Sequence, residues 1–288
     1  MNIIWGSDSL ADLAAHRAIS GPGRAVNLDE LPGLDAIDWS QPWLAPWRTR
    51  GEALAAQVRR VGWVDALNAA VDAPIALRAG GLRFVAHGEL PAGMAYESFI
   101  ARTACVPTRP NLHDFFNGLA WLAHPALKRR LNELQADQLA LACDGAPSRG
   151  PVRDALTLLD ENGALLRAPP VLIDALQRRD WHTLFVTRRA DWAEARVVVF
   201  GHALLEKLVR PRKAITAHAW AVPAGCESMT RWLADALTPQ QLATKPFMPL
   251  PVLGVPGWWA ANGSPEFYDD ATVFRAAQKQ SAARRPLI

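Results

Sequence analysis

One segment constrains the fold more than any other part of the sequence, because it predicts two helices that meet at an angle. In VPTRPNLHDFFNGLAWLAHPALKRRLN, residues 106–132, Asn111 is placed to cap a helix over residues 112–122, since an asparagine side chain can accept hydrogen bonds from first-turn amides. Pro125 then ends or kinks this helix. A second helical pattern covers residues 126–142. The segment therefore favours a largely helical protein.

The sequence before this segment predicts one helix and one β-hairpin. Residues 51–71 place apolar side chains at helical intervals, so that one face can pack inward. Residues 75–87, IALRAGGLRFVAH, alternate apolar and polar side chains around Gly80 and Gly81, a pattern typical of a hairpin.

The sequence after the segment mixes helices with short strands. ALTLLDENGALLRA, residues 155–168, predicts a second hairpin about DENG, and residues 171–186 predict a helix running into a strand. VVVF, residues 197–200, has two interpretations. If it is a strand, His202 lies at the start of the next helix; if it is not, one helix spans residues 191–209.

The remaining patterns complete the predicted architecture. Residues 144–152, DGAPSRGPV, are typical of a linker or hinge, residues 214–222 of a strand and residues 227–237 of a helix. Residues 249–275 are rich in proline and glycine yet strongly apolar, which predicts an ordered, packed loop. Helices interspersed with hairpins predict an α+β fold, mostly helical, with short β-hairpins and a small mixed sheet.

Composition excludes several classes of protein. The chain of 288 residues has a formal net charge of only +3 and short basic clusters, so nucleic-acid binding is not expected. Its twelve tryptophans suit a core better than a binding surface. Neither a signal peptide nor a membrane span is recognisable. Three cysteines without a CxxC pair, Cys105, Cys143 and Cys226, predict free thiols in a reducing cytoplasm.

Two histidine pairs are the strongest candidates for chemistry. His113 and Asn117 lie four residues apart, as do His202 and Glu206, so each pair shares a helical face and can hold a metal ion or position a water. The same spacing also occurs in surface and packing pairs. Asp114, in the first turn of its helix, is accounted for by capping and by the helix dipole.

Familiar catalytic signatures are absent from the sequence. HALLE is not HExxH, which excludes a zincin, and no GxGxxG, GxxxxGK[ST], GxSxG or EF-hand loop occurs.

Adjacent Asp269 and Asp270 would repel each other if both were buried, so exposure of one of them is the simpler expectation.

Four long blocks of sequence resemble a bacterial domain-of-unknown-function family, number 3025. They are residues 106–132, RDALTLLDENGAL, FGHALLEKLVRPRKAITAHA and PVLGVPGWWAANGSPEFYDDATVFR. The resemblance runs from about Asp35 to Arg275. It implies one family domain over residues 35–276 with a possible hinge near residues 144–152, an amino-terminal extension over residues 1–34 and a tail over residues 277–288.

The resemblance also implies that the polar residues inside these blocks belong to the family pattern. They are His113, Asp114, Asn117, Lys128, Asn132, Asp154, Asp160, Glu161, His202, Glu206, Lys213, Tyr268, Asp269 and Arg275. We assign catalytic roles to His113, Asp114, Asn117, His202 and Glu206. We assign substrate binding to Lys128, Lys213, Tyr268, Asp269 and Arg275.

Two functions follow as hypotheses, and a structure can separate them. The first is an acid–base or metal-assisted hydrolase acting on an anionic small molecule or phosphoester, with a divalent metal ion as candidate cofactor. The alternative is a non-catalytic binding protein that uses tryptophans and basic surface residues. Convergence of the polar residues in one site favours the first, and scatter favours the second. The oligomeric state stays open.

Overall fold

The computed structural model describes residues 33–143 and 150–277, without the side chains of residues 142 and 143. More than half of the described fold is helical. The α-helices in this part of the chain are α1 Arg48–Val61, α2 Trp63–Ala69, α3 Tyr96–Thr103, α4 Leu112–Ala123, α5 Pro125–Cys143, α6 Pro151–Asn162, α7 Pro170–Arg178, α8 His202–Leu208, α9 Met229–Ala236 and α10 Pro239–Ala243.

The predicted pair of central helices is confirmed as α4 and α5. The Asn111 side chain accepts a hydrogen bond from the Asp114 amide at 2.8 Å, which caps α4 as expected. Helix α4 ends at Ala123, and α5 begins at Pro125, where a proline costs nothing because first-turn amides have no intrahelical acceptor. The helix predicted over residues 51–71 is divided into α1 and α2 at Gly62, whose φ of 88° is left-handed.

In the described parts of the chain the strands are short and form three small sheets. They are β1 Ala76–Leu77, β2 Gly80–Gly81, β3 Arg83–Ala86, β4 Cys105–Thr108, β5 Gly163–Arg167, β6 Arg196–Val199, β7 Thr216–Ala221 and β8 Met248–Pro251. Strands β1 and β2 form the first predicted hairpin, and β3 pairs in parallel with β4. The largest sheet has the order β6-β5-β7-β8 and is mixed, since β5 is antiparallel to β6 and parallel to β7. The α+β prediction, mostly helical with a small mixed sheet, is confirmed.

Two predicted strands are wrong, and both errors concern how an apolar run is paired. The second hairpin is absent: the residues before Gly163 continue α6, and the strand β5 begins at Gly163. That strand finds distant partners in β6 and β7 rather than its own neighbour. In residues 171–186, helix α7 is followed by a π-helical turn, Thr183–Thr187, instead of a strand. Its Leu184 and Phe185 are fully buried, so burial explains their apolar character without sheet pairing.

The main sheet separates two hydrophobic clusters, because alternate residues of a strand point to opposite faces. Ala164 and Leu166 of β5 join a large cluster that runs from Leu34 to Phe274, whereas Leu165 joins a second cluster with residues of α5, α6 and α9. The carboxyl-terminal residues 249–275 pack as expected, with Tyr268 buried. Every described tryptophan is buried or half-buried, which agrees with a core role.

No described helix combines the length and the apolar character that a membrane crossing needs.

The predicted hinge near residues 144–152 falls largely on residues 144–149, which lie outside the described residues. The predicted extension and tail also lie outside them, apart from residues 33, 34 and 277.

We expect all three cysteines to be free thiols. Cys105 and Cys226 are free in the structure, Cys105 being buried and Cys226 half-buried, while the Cys143 side chain lies outside the described residues. Titration of the denatured, unreduced protein with a thiol reagent should give three reactive groups. In the folded protein Cys226 should react faster than Cys105, because burial shields a thiol. Fewer than three groups after denaturation would contradict the prediction.

Candidate functional site

Helices α4 and α8 pack together and bring the two histidine pairs into one site. Nε2 of His113 lies 3.1 Å from Nε2 of His202, and the rings meet edge to face with centroids 4.5 Å apart. His113 occupies the first turn of α4, and His202 is the first residue of α8. The two histidines, which lie on separate predicted helices, therefore converge.

Two glycines explain why His202 can approach the end of α6. A Cβ atom on Gly201 would lie 2.5 Å from the Glu161 carbonyl oxygen, closer than any side-chain carbon can pack. The amide of Gly201 donates to the Gly163 carbonyl at 2.8 Å. Gly163 is itself packed against the Leu159 carbonyl. These close backbone contacts place the start of α8 directly against the last turn of α6.

We therefore expect Gly201→Ala to disturb the site as well as the fold. The added methyl group must displace backbone, and such overpacking costs about 1–3 kcal/mol of unfolding free energy. Urea denaturation should show this loss. Gly88→Ala is the control, because a Cβ atom there meets no atom within 4 Å. Equal stability of the two variants would refute the proposed close packing.

Glu161, the penultimate residue of α6, adds a carboxylate to the histidine pair. Its Oε1 lies 3.6 Å from Nε2 of His202. His113, Glu161 and His202 each offer one ligand atom, and these three atoms lie within 4.8 Å of one another. The His202 side chain is 5% exposed, whereas those of His113 and Glu161 are 31% and 33% exposed. The cluster is therefore buried at His202 and open to solvent at His113 and Glu161.

A carboxylate also lies behind each histidine. Oε2 of Glu206, one turn further along α8, is 3.0 Å from Nδ1 of His113. Oδ2 of Asp160 is 3.8 Å from Nδ1 of His202, a buried nitrogen without a hydrogen bond of ordinary length among the described residues. Both Nδ1 atoms therefore face negative charge, while both Nε2 atoms face each other.

Lys128 connects Asp160 to a buried polar network. Its ammonium group, in a side chain only 4% exposed, donates to Oδ1 of Asp160 at 2.6 Å and to Oδ1 of Asn117 at 2.8 Å. Asn117 in turn donates to the hydroxyl of Tyr96 at 2.9 Å. A cavity of about 20 Å³ adjoins Tyr96, Lys128 and Asp160, which is room for about one water molecule.

Burial and this network set the charges of the site. Burial lowers the pKa of His202 to about 4, although the nearby Asp160 carboxylate opposes the effect. Burial alone would raise the pKa of Asp160, but the Lys128 ammonium and the two histidines outweigh it and lower that pKa. Burial raises the pKa of the Tyr96 hydroxyl above its ordinary value. At neutral pH the site therefore holds a neutral His202 imidazole beside an ionised Asp160.

The other predicted site residues lie in different surroundings. The Asp114 carboxylate accepts hydrogen bonds from the Arg109 amide and guanidinium. These bonds stabilise the turn before α4. Lys213 pairs with Asp270 at 3.1 Å, and the Tyr268 hydroxyl donates to the Gly254 carbonyl.

Asp269 and Arg275 are exposed, which agrees with the expected exposure of one carboxylate in the Asp269–Asp270 pair. Among the described residues, no hydrogen bond or ion pair joins Lys213, Tyr268, Asp269 or Arg275 to the histidines. The substrate-binding roles assigned to these four residues thus receive no geometric support.

Three members of the site had no assigned role in the sequence analysis. Asp160 and Glu161 belong to the family pattern, but the prediction of a hairpin turn at DENG does not place them at the end of a helix, where the structure has them. Tyr96 gave no signal at all. Two glycines next to the site residues are the signal that could have found them. Gly163 follows Glu161 and Asn162, and Gly201 precedes His202. A glycine lets two backbone segments approach closely.

The comparisons with known proteins give a family and no activity. No curated protein and no solved structure matches the chain. A family model described as Protein of unknown function (DUF3025) matches residues 82–278 and therefore includes all the residues of the site. Because this match covers more than half of the sequence, the chain belongs to the DUF3025 family.

Proposed function

We propose that the protein is a metal-dependent hydrolase in which His113, His202 and Glu161 bind one divalent transition-metal ion. The observation that carries the proposal is the convergence of two Nε2 atoms and one carboxylate oxygen beside two outer carboxylates. Two histidines and one glutamate form a common ligand set of catalytic zinc sites, in which water or substrate takes the fourth position.

The spacing of the ligand atoms supports a tetrahedral ion. Bonds of about 2.0–2.1 Å at tetrahedral angles place neighbouring ligand atoms about 3.3 Å apart. The observed separations are 3.1 Å between the two Nε2 atoms and 3.6 Å between Nε2 of His202 and Oε1 of Glu161. The third separation, between the ligand atoms of His113 and Glu161, is at most 4.8 Å, so a bound ion would draw the Glu161 carboxylate and His113 closer together.

The carboxylates behind the two histidines give further support. A carboxylate next to Nδ1 favours the tautomer that carries its proton on Nδ1, and this holds for His113 beside Glu206 and for His202 beside Asp160. Both Nε2 atoms then present lone pairs to each other at 3.1 Å. Such a contact is repulsive unless a proton or a metal ion lies between the two nitrogens. Metal-bound histidines characteristically have carboxylates behind them in this way.

The charge balance supports an anionic substrate. Three carboxylates, those of Asp160, Glu161 and Glu206, are offset by the Lys128 ammonium and a divalent ion. Lys207, exposed and bonded to Asn162 at 2.7 Å, then adds a positive charge beside Glu161. A bound metal ion would lower the pKa of its water and polarise a phosphoryl or carbonyl oxygen of the substrate. We infer a small phosphoester as the best-matched substrate class.

The competing hypothesis, a non-catalytic protein that binds through tryptophans and basic surface residues, receives no support from the tryptophans. The described tryptophans are buried or half-buried rather than exposed, so they do not form a contact surface. Leu141 is the large apolar side chain that stands out as exposed among the described residues.

Metal analysis followed by an activity assay tests the proposal. The protein is stripped with a chelator, loaded with Zn²⁺ or Mn²⁺, and assayed with p-nitrophenyl phosphate, bis(p-nitrophenyl) phosphate and p-nitrophenyl acetate. We expect one ion per chain and phosphoester hydrolysis that requires the ion. Failure to bind one ion, or equal rates with and without it, would refute the proposal.

A further inference from the structure

A second site lies at the opposite end of α4 from the histidines. A surface pocket of about 390 Å³ is bounded by α1, α5, α9 and the segment after α2. Leu122, at the pocket, follows His113 by nine residues, which is about 13 Å along the helix axis. A small ligand cannot reach both places, so this pocket is separate from the proposed metal site.

Three arginines from distant parts of the sequence meet at this pocket. Arg50, Arg129 and Arg231 line it, and Asp72 is the one carboxylate among its lining residues. Guanidinium groups stay charged at any physiological pH. The lining residues therefore carry more positive than negative charge, an excess that Glu133 and Asp235 offset from outside the lining.

Most of the guanidinium hydrogen-bond donors at the pocket remain available to a ligand. Arg129 makes no hydrogen bond with a described residue, and its Nε lies 3.9 Å from the Glu133 carboxylate. Arg231 uses Nε to bind Asp235 at 2.9 Å, which leaves its terminal nitrogens without a partner in the described chain. These groups match the geometry of a carboxylate, phosphate or sulfonate, which guanidinium binds with two parallel hydrogen bonds.

Two hydrogen bonds within the protein hold the Arg50 side chain at one side of the pocket. It donates to the Asp72 carboxylate at 2.5 Å and to the Leu122 carbonyl at 3.2 Å. Apolar side chains, including those of Ile75 and Pro125, complete the lining. A pocket of about 300–1,000 Å³ with an apolar lining and a few convergent polar groups is typical of small-molecule sites.

We propose that this pocket, which we call the arginine pocket, binds a small organic anion: an apolar body that carries one carboxylate, phosphate or sulfonate group. Arg129 and Arg231 bind the anionic group, and the apolar wall contacts the body. The site does not depend on the metal-dependent hydrolase proposed above, since it shares no residue with it.

The probe is 8-anilinonaphthalene-1-sulfonate, an apolar anion whose fluorescence rises on binding, titrated into the full chain. We expect saturable binding to one site and at least tenfold weaker binding by the variant Arg129→Gln/Arg231→Gln. The matched control is Arg59→Gln/Arg78→Gln, which also removes two exposed arginines that pair with carboxylates. The control should bind within twofold of the unaltered chain.

Two further measurements keep the test decisive. Arg129→Gln alone removes no hydrogen bond with the described chain, so it should fold normally and still weaken binding at least threefold. The neutral analogue N-phenyl-1-naphthylamine should bind at least tenfold more weakly than the sulfonate. Equal affinity of the two probes, unchanged binding by the double variant, or no saturable binding to the unaltered chain would each overturn the proposal.

Discussion

His113→Ala is expected to lower the affinity of the protein for Zn²⁺ by at least about 100-fold, since loss of an outer-sphere partner alone typically costs 10–100-fold. The fold should be little affected, because the His113 side chain is 31% exposed. Calorimetric titration of the chelator-treated protein measures the affinity, and thermal unfolding measures the stability. Glu206→Gln should give a smaller loss, within about 10–100-fold, since Glu206 only orients His113.

The control for this prediction is His182→Ala, which removes an exposed histidine bonded to Thr187. Its metal affinity should equal that of the unaltered protein. Two results would contradict the proposed metal site. One is unchanged zinc affinity in His113→Ala. The other is a large loss of thermal stability in a protein that had no metal affinity to lose, which would assign the histidine pair to structural packing.

Lys128→Met is expected to destabilise the protein by about 3 kcal/mol, because it leaves the Asp160 carboxylate and the Asn117 side chain without their shared partner. Breaking a buried ion pair usually costs about 3–5 kcal/mol, and the 22% exposure of Asp160 places this pair at the lower end. Urea denaturation measures the change in unfolding free energy. Lys207→Met, at an exposed lysine, should change it by no more than about 0.5 kcal/mol.

The double variant Lys128→Met/Asp160→Asn distinguishes loss of the ion pair from loss of packing. Because it removes both charges, it should recover part of the stability that Lys128→Met loses. If both variants are equally unstable, the role of Lys128 lies in the packing of its side chain rather than in its charge. A Lys128→Met protein as stable as the unaltered chain would contradict the proposed network.

Local features of the fold were predictable because their causes lie within a few residues. The cap at Asn111 and the boundary between α4 and α5 at Pro125 each follow from side-chain hydrogen bonding or proline geometry close in sequence. The VVVF segment left both a strand and a longer helix open, and the structure shows strand β6 there. The four-residue spacing of His113 with Asn117 and of His202 with Glu206 likewise placed each pair on one helical face.

The predictions failed where an apolar segment had more than one possible partner. The residues around DENG fit a hairpin as well as they fit the end of a helix. In the structure β5 pairs with β6, about 30–35 residues away, and with β7, 55 residues away. The error removed Asp160 and Glu161 from the end of α6, and so concealed two carboxylates of the site.

The sequence by itself determined that the chain would be mostly helical with a small mixed sheet, and which helical faces carry histidine. The tertiary structure alone decided that these faces meet. It placed Glu161 beside both histidines and buried Lys128 against Asp160, although basic residues on such a helix are usually solvated. The physical reason is that a helical period reports only which side chains share a face, whereas the partner of that face depends on long-range packing.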